Sequence, residues 1–132
     1  MSILEGLLKP ARVVHAHCDL PCGVYDPAQA RIEAESVKAC QEKFAGSEDP
    51  VFRERAIAIK EERADLVKHH LWVLWTDYFK PEHLTANPDL HDKFWNATKL
   101  AGAAKKSEDP AQGQELLNAV DEIAKIFWAT KS

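Results

Sequence analysis

The sequence lacks the features of proteins that bind nucleic acids or span membranes. Its 132 residues carry 17 Lys and Arg against 21 Asp and Glu, a net charge of -4, so there is no basic excess for phosphate binding. No apolar run approaches the roughly 20 residues that cross a bilayer. We therefore expect neither nucleic acid nor a membrane as a partner. A composition that is 45% hydrophobic and 29% charged instead predicts one globular domain.

Common cofactor motifs are also missing. The sequence contains no Gly-x-Gly-x-x-Gly, no Walker loop and no His-Glu-x-x-His. Because Glu-x-x-His does not occur either, the di-iron carboxylate site of many four-helix bundles has no ligands here. We therefore expect the histidines of the helical part to be structural or exposed rather than metal ligands: His69, His70, His83 and His91.

Strand-like alternation is absent, and four segments repeat apolar residues with a helical period. Each begins with Asp-Pro or Asn-Pro, the order of an N-cap followed by a proline at the first helical position. Short linkers favour antiparallel neighbours. The predicted fold is all-α, an antiparallel up-down four-helix bundle preceded by a non-helical N-terminal hook. The helices are predicted over 27–45, 50–79, 88–105 and 110–130.

The predicted inner faces contain two charged residues, Glu33 on the first helix and Arg63 on the second. A buried charge is costly unless it is paired, so we expect each to contact a partner, with each other and a group on the arm as candidates. The alternative is that one lies at the boundary of the core and reaches water. Lys60 and the two glutamates after it are interpreted as a solvated face. The apolar inner faces comprise Ala30, Val37, Cys40 and Phe44; Phe52, Ala56, Ile59, Leu66 and Val73; Leu90, Phe94, Ala97, Ala101 and Ala104; and Leu116, Val120, Ile123 and Phe127.

The tryptophans are more numerous than so small a core can fully bury. Two interpretations stand equally: some line a subunit interface, where tryptophan is enriched, or they are partly exposed caps on the bundle. The four residues concerned are Trp72, Trp75, Trp95 and Trp128.

Cysteine is scarce, and two of the three residues lie in one short stretch, HCDLPCGVYDP, over 17–27. Three cysteines cannot all pair within a monomer. Cys18 and Cys22 are separated by three residues including a proline, unlike the Cys-x-x-Cys of thioredoxin-like and zinc-ribbon sites. Such a loop can direct both sulfurs at one point, and a planar set of thiolates and nitrogens suits Ni(II) or Cu(II). Cys40 lies apart and is interpreted as a small hydrophobic residue.

Removal of the first 16 residues would supply nitrogen donors. The apolar part of this leader, residues 3–8, is interrupted by Glu5 and is shorter than a secretory signal requires, so we do not interpret it as an export signal. Cleavage after Ala16 would make His17 the first residue, with its α-amine, its imidazole and the Cys18 amide nitrogen available. On this hypothesis cleavage creates the metal site. The expected domains are a propeptide, 1–16, and a metal-binding domain, 17–132, with its hook over 17–25.

The hook resembles that of nickel-containing superoxide dismutases. The family motif His-Cys-x-x-Pro-Cys-x-x-Tyr-Asp-Pro is matched over 17–27, and the similarity continues through VLWTDYFKP and the final IFWATK. The leader is similar to the family's propeptide, which a dedicated protease removes. The resemblance implies an enzyme that converts two superoxide anions and two protons to dioxygen and hydrogen peroxide by Ni(II)/Ni(III) cycling. It also implies a cytoplasmic homohexamer.

The resemblance further implies which residues bind the metal. His17 would contribute its α-amine and imidazole, Cys18 its backbone nitrogen and thiolate, and Cys22 its thiolate, to one nickel ion per subunit. Glu33 and Arg63 would hold the His17 imidazole. Pro21 would lie beside the ligands as part of the loop.

A second set of residues is implied for the substrate. Tyr25 and Tyr78 would flank the pocket, and the amides of Asp19 and Cys22 would face the bound anion. Lys80, next but one to Tyr78, is our candidate for attracting superoxide.

Two other functions use part of the same pattern. A metallochaperone would need the ligands of the hook but not the tyrosines, Glu33 or Arg63. A thiol switch that regulates a helical scaffold would need only Cys18 and Cys22. Metal content and a superoxide assay on cleaved protein distinguish all three functions.

Overall fold

The computed structural model describes residues 22–132, and this part of the chain is helical without any β-strand. A π-helical turn, Leu74–Tyr78, directly follows the longest helix. The propeptide and four predicted site residues, His17, Cys18, Asp19 and Pro21, lie outside the described residues. The α-helices are α1 (Ala28–Ala45), α2 (Pro50–Val73), α3 (Pro81–Ala86), α4 (Leu90–Lys106) and α5 (Pro110–Ala129).

The four long helices form an antiparallel bundle, which confirms the predicted fold class. Helix α1 packs against α2 and α5, and α4 packs against the same two helices, so the four enclose one core. The short helix α3 lies in the connection between α2 and α4. Every residue predicted for the inner faces of the last two helices is buried.

Gly113 allows α1 and α5 to approach closely at one point. A Cβ atom on Gly113 would lie 2.7 Å from the Cα of Lys38 and would also collide with Oε1 of Gln41. Gln41 is fully buried, and its Nε2 donates to the carbonyl oxygens of Ala104 (3.3 Å) and Ser107 (3.0 Å). Glycine is therefore required at this crossing by contact distance.

The repeated tetrapeptide Ser-Glu-Asp-Pro forms the same helix start twice. The hydroxyl of Ser47 accepts from the Asp49 amide at 3.2 Å, and the Asp49 carboxylate accepts from the Val51 amide at 3.1 Å. At 107–111 the corresponding distances are 3.1 and 3.0 Å. The predicted Asp-Pro caps of α2 and α5 are therefore confirmed.

The boundaries between the second and third predicted helices were wrong. The predicted helix 50–79 changes to the π-helical turn after Val73, and the predicted linker 80–87 contains α3. The following helix begins at Leu90 rather than at Pro88, and Asn87 donates to the His83 carbonyl at the end of α3 instead of capping α4. Helix α3 begins with proline at its first position, a favoured start, but its six residues are too few for an apolar pattern to reveal.

The inner face of α2 was also partly wrong. Phe52 and Ile59 are 39% and 41% exposed, and Leu66 is only half-buried. Lys60, interpreted as solvated, is fully buried because its Nζ donates to the Ser107 carbonyl (2.8 Å) and to Glu108 (2.6 Å). The buried stripe passes through this lysine together with Ala56, Ala64, Val67, Leu71 and Val73.

On the inner face predicted for the first helix, Ala30 and Val37 are buried as expected, and the other two residues lie at the boundary of the core. Cys40 and Phe44 are half-buried rather than buried, and the Arg53 guanidinium lies 4.0 Å from the Phe44 ring centre.

All four tryptophans are more than a third exposed, from 38% for Trp75 to 62% for Trp95. In the described part of the chain, none of the helices combines the length and apolarity needed to cross a membrane.

Candidate metal and substrate site

The described chain begins at the hook's second cysteine. Cys22 is exposed, and its sulfur accepts a hydrogen bond from the Val24 amide at 3.3 Å. Between them, Gly23 adopts φ +70°, a left-handed conformation that side chains with a Cβ rarely take. A Cβ there would meet nothing within 4 Å, so the backbone turn itself, rather than lack of space, requires glycine. This turn directs the chain from Cys22 towards the start of α1.

A cleft of about 460 Å³ lies immediately after this turn, at the end of the bundle. Its walls come from segments that are distant in the sequence: the residues before α1, the π-helical turn, the start of α3 and the end of α5. The residues that line it are Gly23, Tyr25, Asp77, Tyr78, Lys80, His83, Thr130 and Lys131. The predicted Tyr25, Tyr78 and Lys80 are thus brought together in one cleft.

Tyr78 is half-buried and is enclosed by aromatic side chains. Its ring centre lies 5.5 Å from that of Tyr25 and 4.4 Å from that of Phe127, which is fully buried. The His83 ring stacks on it at an angle of 13°. Its hydroxyl shares a hydrogen bond with Thr130 Oγ1. These contacts hold the phenol ring on several sides, so its position is set by the fold.

The π-helical turn places Tyr78 on this wall. The Phe79 amide donates to the Leu74 carbonyl at 3.0 Å, the i to i+5 bond that defines such a turn. Leu74 is buried and anchors the turn to the core. Turns of this kind are frequent at functional sites because they redirect side chains relative to a regular helix.

The cleft carries more positive than negative charge. Lys80 and Lys131 line it together with Asp77, and the Lys131 ammonium lies 5.2 Å from the centre of the Tyr78 ring. His83 accepts the Lys80 amide hydrogen on Nδ1 at 3.0 Å, so its neutral form carries the ring proton on Nε2. A small anion is the kind of ligand that such a cleft attracts.

Glu33 and Arg63 contact each other, as one of the two sequence alternatives predicted. Nη1 of Arg63 lies 3.3 Å from both carboxylate oxygens of Glu33. The Glu33 side chain is 15% exposed and that of Arg63 35%, so the pair bridges α1 and α2 near the edge of the core.

Burial lowers the pKa of nearby His70 below its ordinary value of 6.5. The charge of His69 also lowers this pKa, and the charge of Glu33 opposes the shift.

Cys40 differs from Cys22 in its surroundings. It is half-buried on α1, and burial raises the pKa of its thiol, although the charges of Arg63, Lys43 and Lys60 oppose that shift. A thiol with a raised pKa is mostly protonated at neutral pH and is a poor nucleophile. This agrees with its interpretation as a packing residue.

The ligand set of the hook remains a prediction. Within residues 22–132, no group of three or more His, Cys, Asp and Glu side chains is placed to hold a metal ion. His17, Cys18, Asp19 and Pro21 precede the described residues, and only Cys22 of the predicted ligands can be placed. Glu33 and Arg63 do not line the cleft.

Sequence reasoning missed four residues of the cleft. Asp77 and His83 lie beside predicted residues but belong to a π-helical turn and a short helix that the pattern did not reveal. Thr130 and Lys131 reach Tyr78 across 52 and 53 positions of the chain, a contact that only the bundle topology creates. Two signals were available: the apolar stripe of α5, which ends at Phe127 beside them, and the segment IFWATK of the family resemblance, which contains both residues.

Comparison with known proteins agrees with this geometry. The sequence model of nickel-containing superoxide dismutase matches residues 12–131. The nickel superoxide dismutases of Streptomyces coelicolor and Streptomyces seoulensis are each 60% identical over 129 residues, covering 98% of this chain and 98% of each relative. The native structure of a nickel superoxide dismutase superposes with a TM-score of 0.85 at 63% identity, covering 87% of this chain and 98% of that one.

These similarities extend over nearly the whole chain, including both the hook and the cleft-forming segments. The chain therefore belongs to the nickel-containing superoxide dismutase family, whose members are oxidoreductases with a nickel cofactor.

Proposed function

We propose that this chain, after removal of residues 1–16, converts two superoxide anions and two protons to dioxygen and hydrogen peroxide. The observation that carries the proposal is the position of Cys22, an exposed thiol one residue before a cationic cleft that contains Tyr25 and Tyr78. When bound, nickel would supply a one-electron Ni(II)/Ni(III) couple that accepts an electron from one superoxide and returns it to a second.

The proposed ligands fit a late transition metal. They are the His17 α-amine and imidazole, the Cys18 amide nitrogen and thiolate, and the Cys22 thiolate. Soft sulfur donors with nitrogen donors select such metals, and anionic donors favour a higher oxidation state. The exposed Cys22 sulfur is accessible to a metal, and the Val24 amide would continue to donate to it as a thiolate. Pro21 would restrict the loop between the two cysteines.

The Glu33–Arg63 pair would orient the imidazole of His17. Arg63 holds both oxygens of Glu33, and each carboxylate oxygen has a second lone pair available. One of them would accept the N–H of the His17 ring nitrogen that does not bind nickel, which sets the tautomer and the ring direction. Glu33→Gln would weaken this contact and slow turnover while leaving the sulfur ligands intact.

The cleft would attract and orient the anion. Lys80 and Lys131 supply the positive field, and the amides of Asp19 and Cys22 would donate to bound superoxide. Tyr25 and Tyr78 would limit the space beside it, since their rings lie 5.5 Å apart.

Two matched cysteine variants test the proposal. Cleaved protein that begins at His17 is loaded with nickel, and metal content and superoxide consumption are measured. Cys22→Ser should abolish turnover, because the site loses a thiolate. Cys40→Ser, a change of the same kind at a half-buried position, should retain it. Full activity in the Cys22 variant would contradict the assignment.

The same preparation distinguishes the alternatives. Nickel binding without superoxide consumption would indicate a metallochaperone, and neither metal nor activity would leave a thiol switch. His17→Gln should retain bound metal through the other donors but slow the reaction. Full-length chain assayed beside it tests the role of cleavage, since residue 17 then lacks a free amine. Equal activity of both forms would contradict that role.

We further propose a cytoplasmic homohexamer with one nickel ion per subunit and a processing protease as partner. The exposed tryptophans support a subunit interface, because large apolar side chains at 38–62% exposure are typical of surfaces that become buried. Sedimentation of the cleaved, nickel-loaded protein should give six times the subunit mass, and a monomeric mass would contradict the assembly.

A further inference from the structure

Tyr78 and the end of α5 are linked by two consecutive hydrogen bonds. The Tyr78 hydroxyl is bonded to Thr130 Oγ1, and Thr130 Oγ1 lies 2.6 Å from the carbonyl oxygen of Phe127. Thr130 is half-buried and lines the cleft beside Tyr78. The direction of the protons in these two bonds decides what Tyr78 presents to a ligand.

The number of available protons fixes the direction of both hydrogen bonds. A carbonyl oxygen can only accept, so the short contact between Thr130 and Phe127 requires the single hydroxyl proton of Thr130. Thr130 Oγ1 then has only lone pairs for its second partner. The bond between Thr130 and Tyr78 must therefore use the Tyr78 proton, with Tyr78 as the donor.

We propose that Thr130 is a positioning residue that directs the Tyr78 hydroxyl proton away from the cleft, so that Tyr78 offers the cleft only lone pairs. This inference rests on the proposed function for its meaning in catalysis. Superoxide carries no proton and could not be bound by such an oxygen, whereas water and hydrogen peroxide can donate to it. Tyr78 would therefore orient water or the protonated product, and it would not be the proton source.

The surroundings of Tyr78 keep this arrangement in place. Phe127 packs against one part of the ring and His83 stacks on it, so the phenol oxygen cannot leave Thr130 by rotation of the whole side chain. Loss of the Thr130 hydroxyl would free only the O–H bond, which could then turn into the cleft and donate to an anion.

A spectroscopic experiment tests the proton direction without any assay of activity. The chain has two tyrosines, so in a Tyr25→Phe background Tyr78 is the sole tyrosine. The Raman Fermi doublet of tyrosine distinguishes a donating from an accepting hydroxyl. In the parent and in Thr130→Ser, the doublet should show that the Tyr78 hydroxyl is a strong donor. In Thr130→Val this donor signature should be lost. An acceptor signature in the parent, or no change on Thr130→Val, would overturn the proposal.

Anion inhibition tests the consequence in the nickel-loaded, cleaved enzyme. Azide serves as the anionic probe. Thr130→Val should lower its inhibition constant by about fivefold, the effect of one added hydrogen bond, and Thr130→Ser should not. The change should vanish in a Tyr78→Phe background, where there is no hydroxyl to turn. An equal change in that background would show that Thr130 acts through packing, and would refute the inference.

Controls separate the possible failures. Thr85→Val removes a hydroxyl that donates to a carbonyl within the exposed helix α3, at 3.2 Å from Pro81 O, and should leave azide inhibition unchanged. If Thr130→Val does not fold, Thr130→Ala removes the same hydroxyl with less steric demand. If the cleaved, nickel-loaded parent protein had no activity, the proposed function would be refuted but the proton direction would not. The Raman result does not depend on activity.

Discussion

Replacing the two partners of the buried ion pair one at a time should have unequal effects on stability. The Lys60 side chain is 1% exposed, and that of Glu108 is 32% exposed. Methionine has a similar length and no charge, so it can take either place. Glu108→Met would leave the Lys60 ammonium buried, with the Ser107 carbonyl as its one remaining acceptor among residues 22–132. Removing one partner of a buried pair typically costs about 3–5 kcal/mol, and we expect this loss here.

Lys60→Met should cost less. The carboxylate that it leaves behind is partly exposed and can turn towards water, so the expected loss is about 1–3 kcal/mol. In the double variant no charge remains, and apolar replacement of a buried pair is often close to neutral. The double variant should therefore be more stable than Glu108→Met alone. Glu108 Oε2 lacks a hydrogen-bond partner within the described residues, so the parent pair is itself incompletely satisfied and the double variant should lie close to the parent in stability.

Urea unfolding followed by circular dichroism measures these differences, at one fixed protein concentration because assembly shifts apparent stability. Lys105→Met is the matched control. Lys105 pairs with Asp65 at 3.0 Å, but both side chains are at least 35% exposed, so its loss should cost at most about 1 kcal/mol. A Glu108→Met loss no larger than that of Lys105→Met would refute the reasoning.

Three further changes have expected outcomes. Gly113→Ala should destabilise the fold by about 1–3 kcal/mol in the same unfolding assay, because the added Cβ would collide with α1. Gly102→Ala should be neutral or stabilising, because its Cβ would lie 3.5 Å from the nearest atom. Because folding lowers the pKa of His70, the histidine of the unfolded state is protonated first as pH falls below 6.5, and the free energy of unfolding should decrease with pH there. His70→Gln should flatten this dependence of the free energy of unfolding on pH. An unchanged dependence would contradict the pKa shift. Lys80→Ala should make kcat/KM fall less steeply with ionic strength. Lys106→Ala, at the exposed end of α4 far from the cleft, should leave that dependence unchanged. Equal responses of the two variants would show that Lys80 does not attract superoxide.

Local rules predicted much of the fold from the sequence. The Asp-Pro starts of α2 and α5 depend on neighbours within four residues, and the structure reproduces them. The inner faces of α4 and α5 were also predictable because no charged residue interrupts their stripes. The α2 stripe was not, since it includes Lys60, and burial of a lysine depends on acceptors supplied by residues 47 and 48 positions later.

The candidate site divides in the same way. The hook, Tyr25 and Tyr78 follow from a motif and from resemblance, and the Glu33–Arg63 contact follows from charges at inner positions. Thr130 and Lys131 lie in the segment IFWATK that carries part of the resemblance, but nothing in that segment indicates contact with a tyrosine 52 positions earlier. Tertiary structure alone assigns them to the cleft.

The wide turn at Leu74–Tyr78 makes the wall of the cleft depend unevenly on chain length. A turn closed by an i to i+5 bond holds one more residue than an α-helical turn, so the loss of one residue inside it can restore a regular helix while the residues after it keep nearly the same direction. The loss of one residue from α2 itself has no such compensation, because each α-helical residue advances the chain by about 100° and Tyr78 would rotate away from Phe127 and Thr130 by that amount. We therefore expect a single-residue deletion within α2 to disrupt the cleft more than one within the turn.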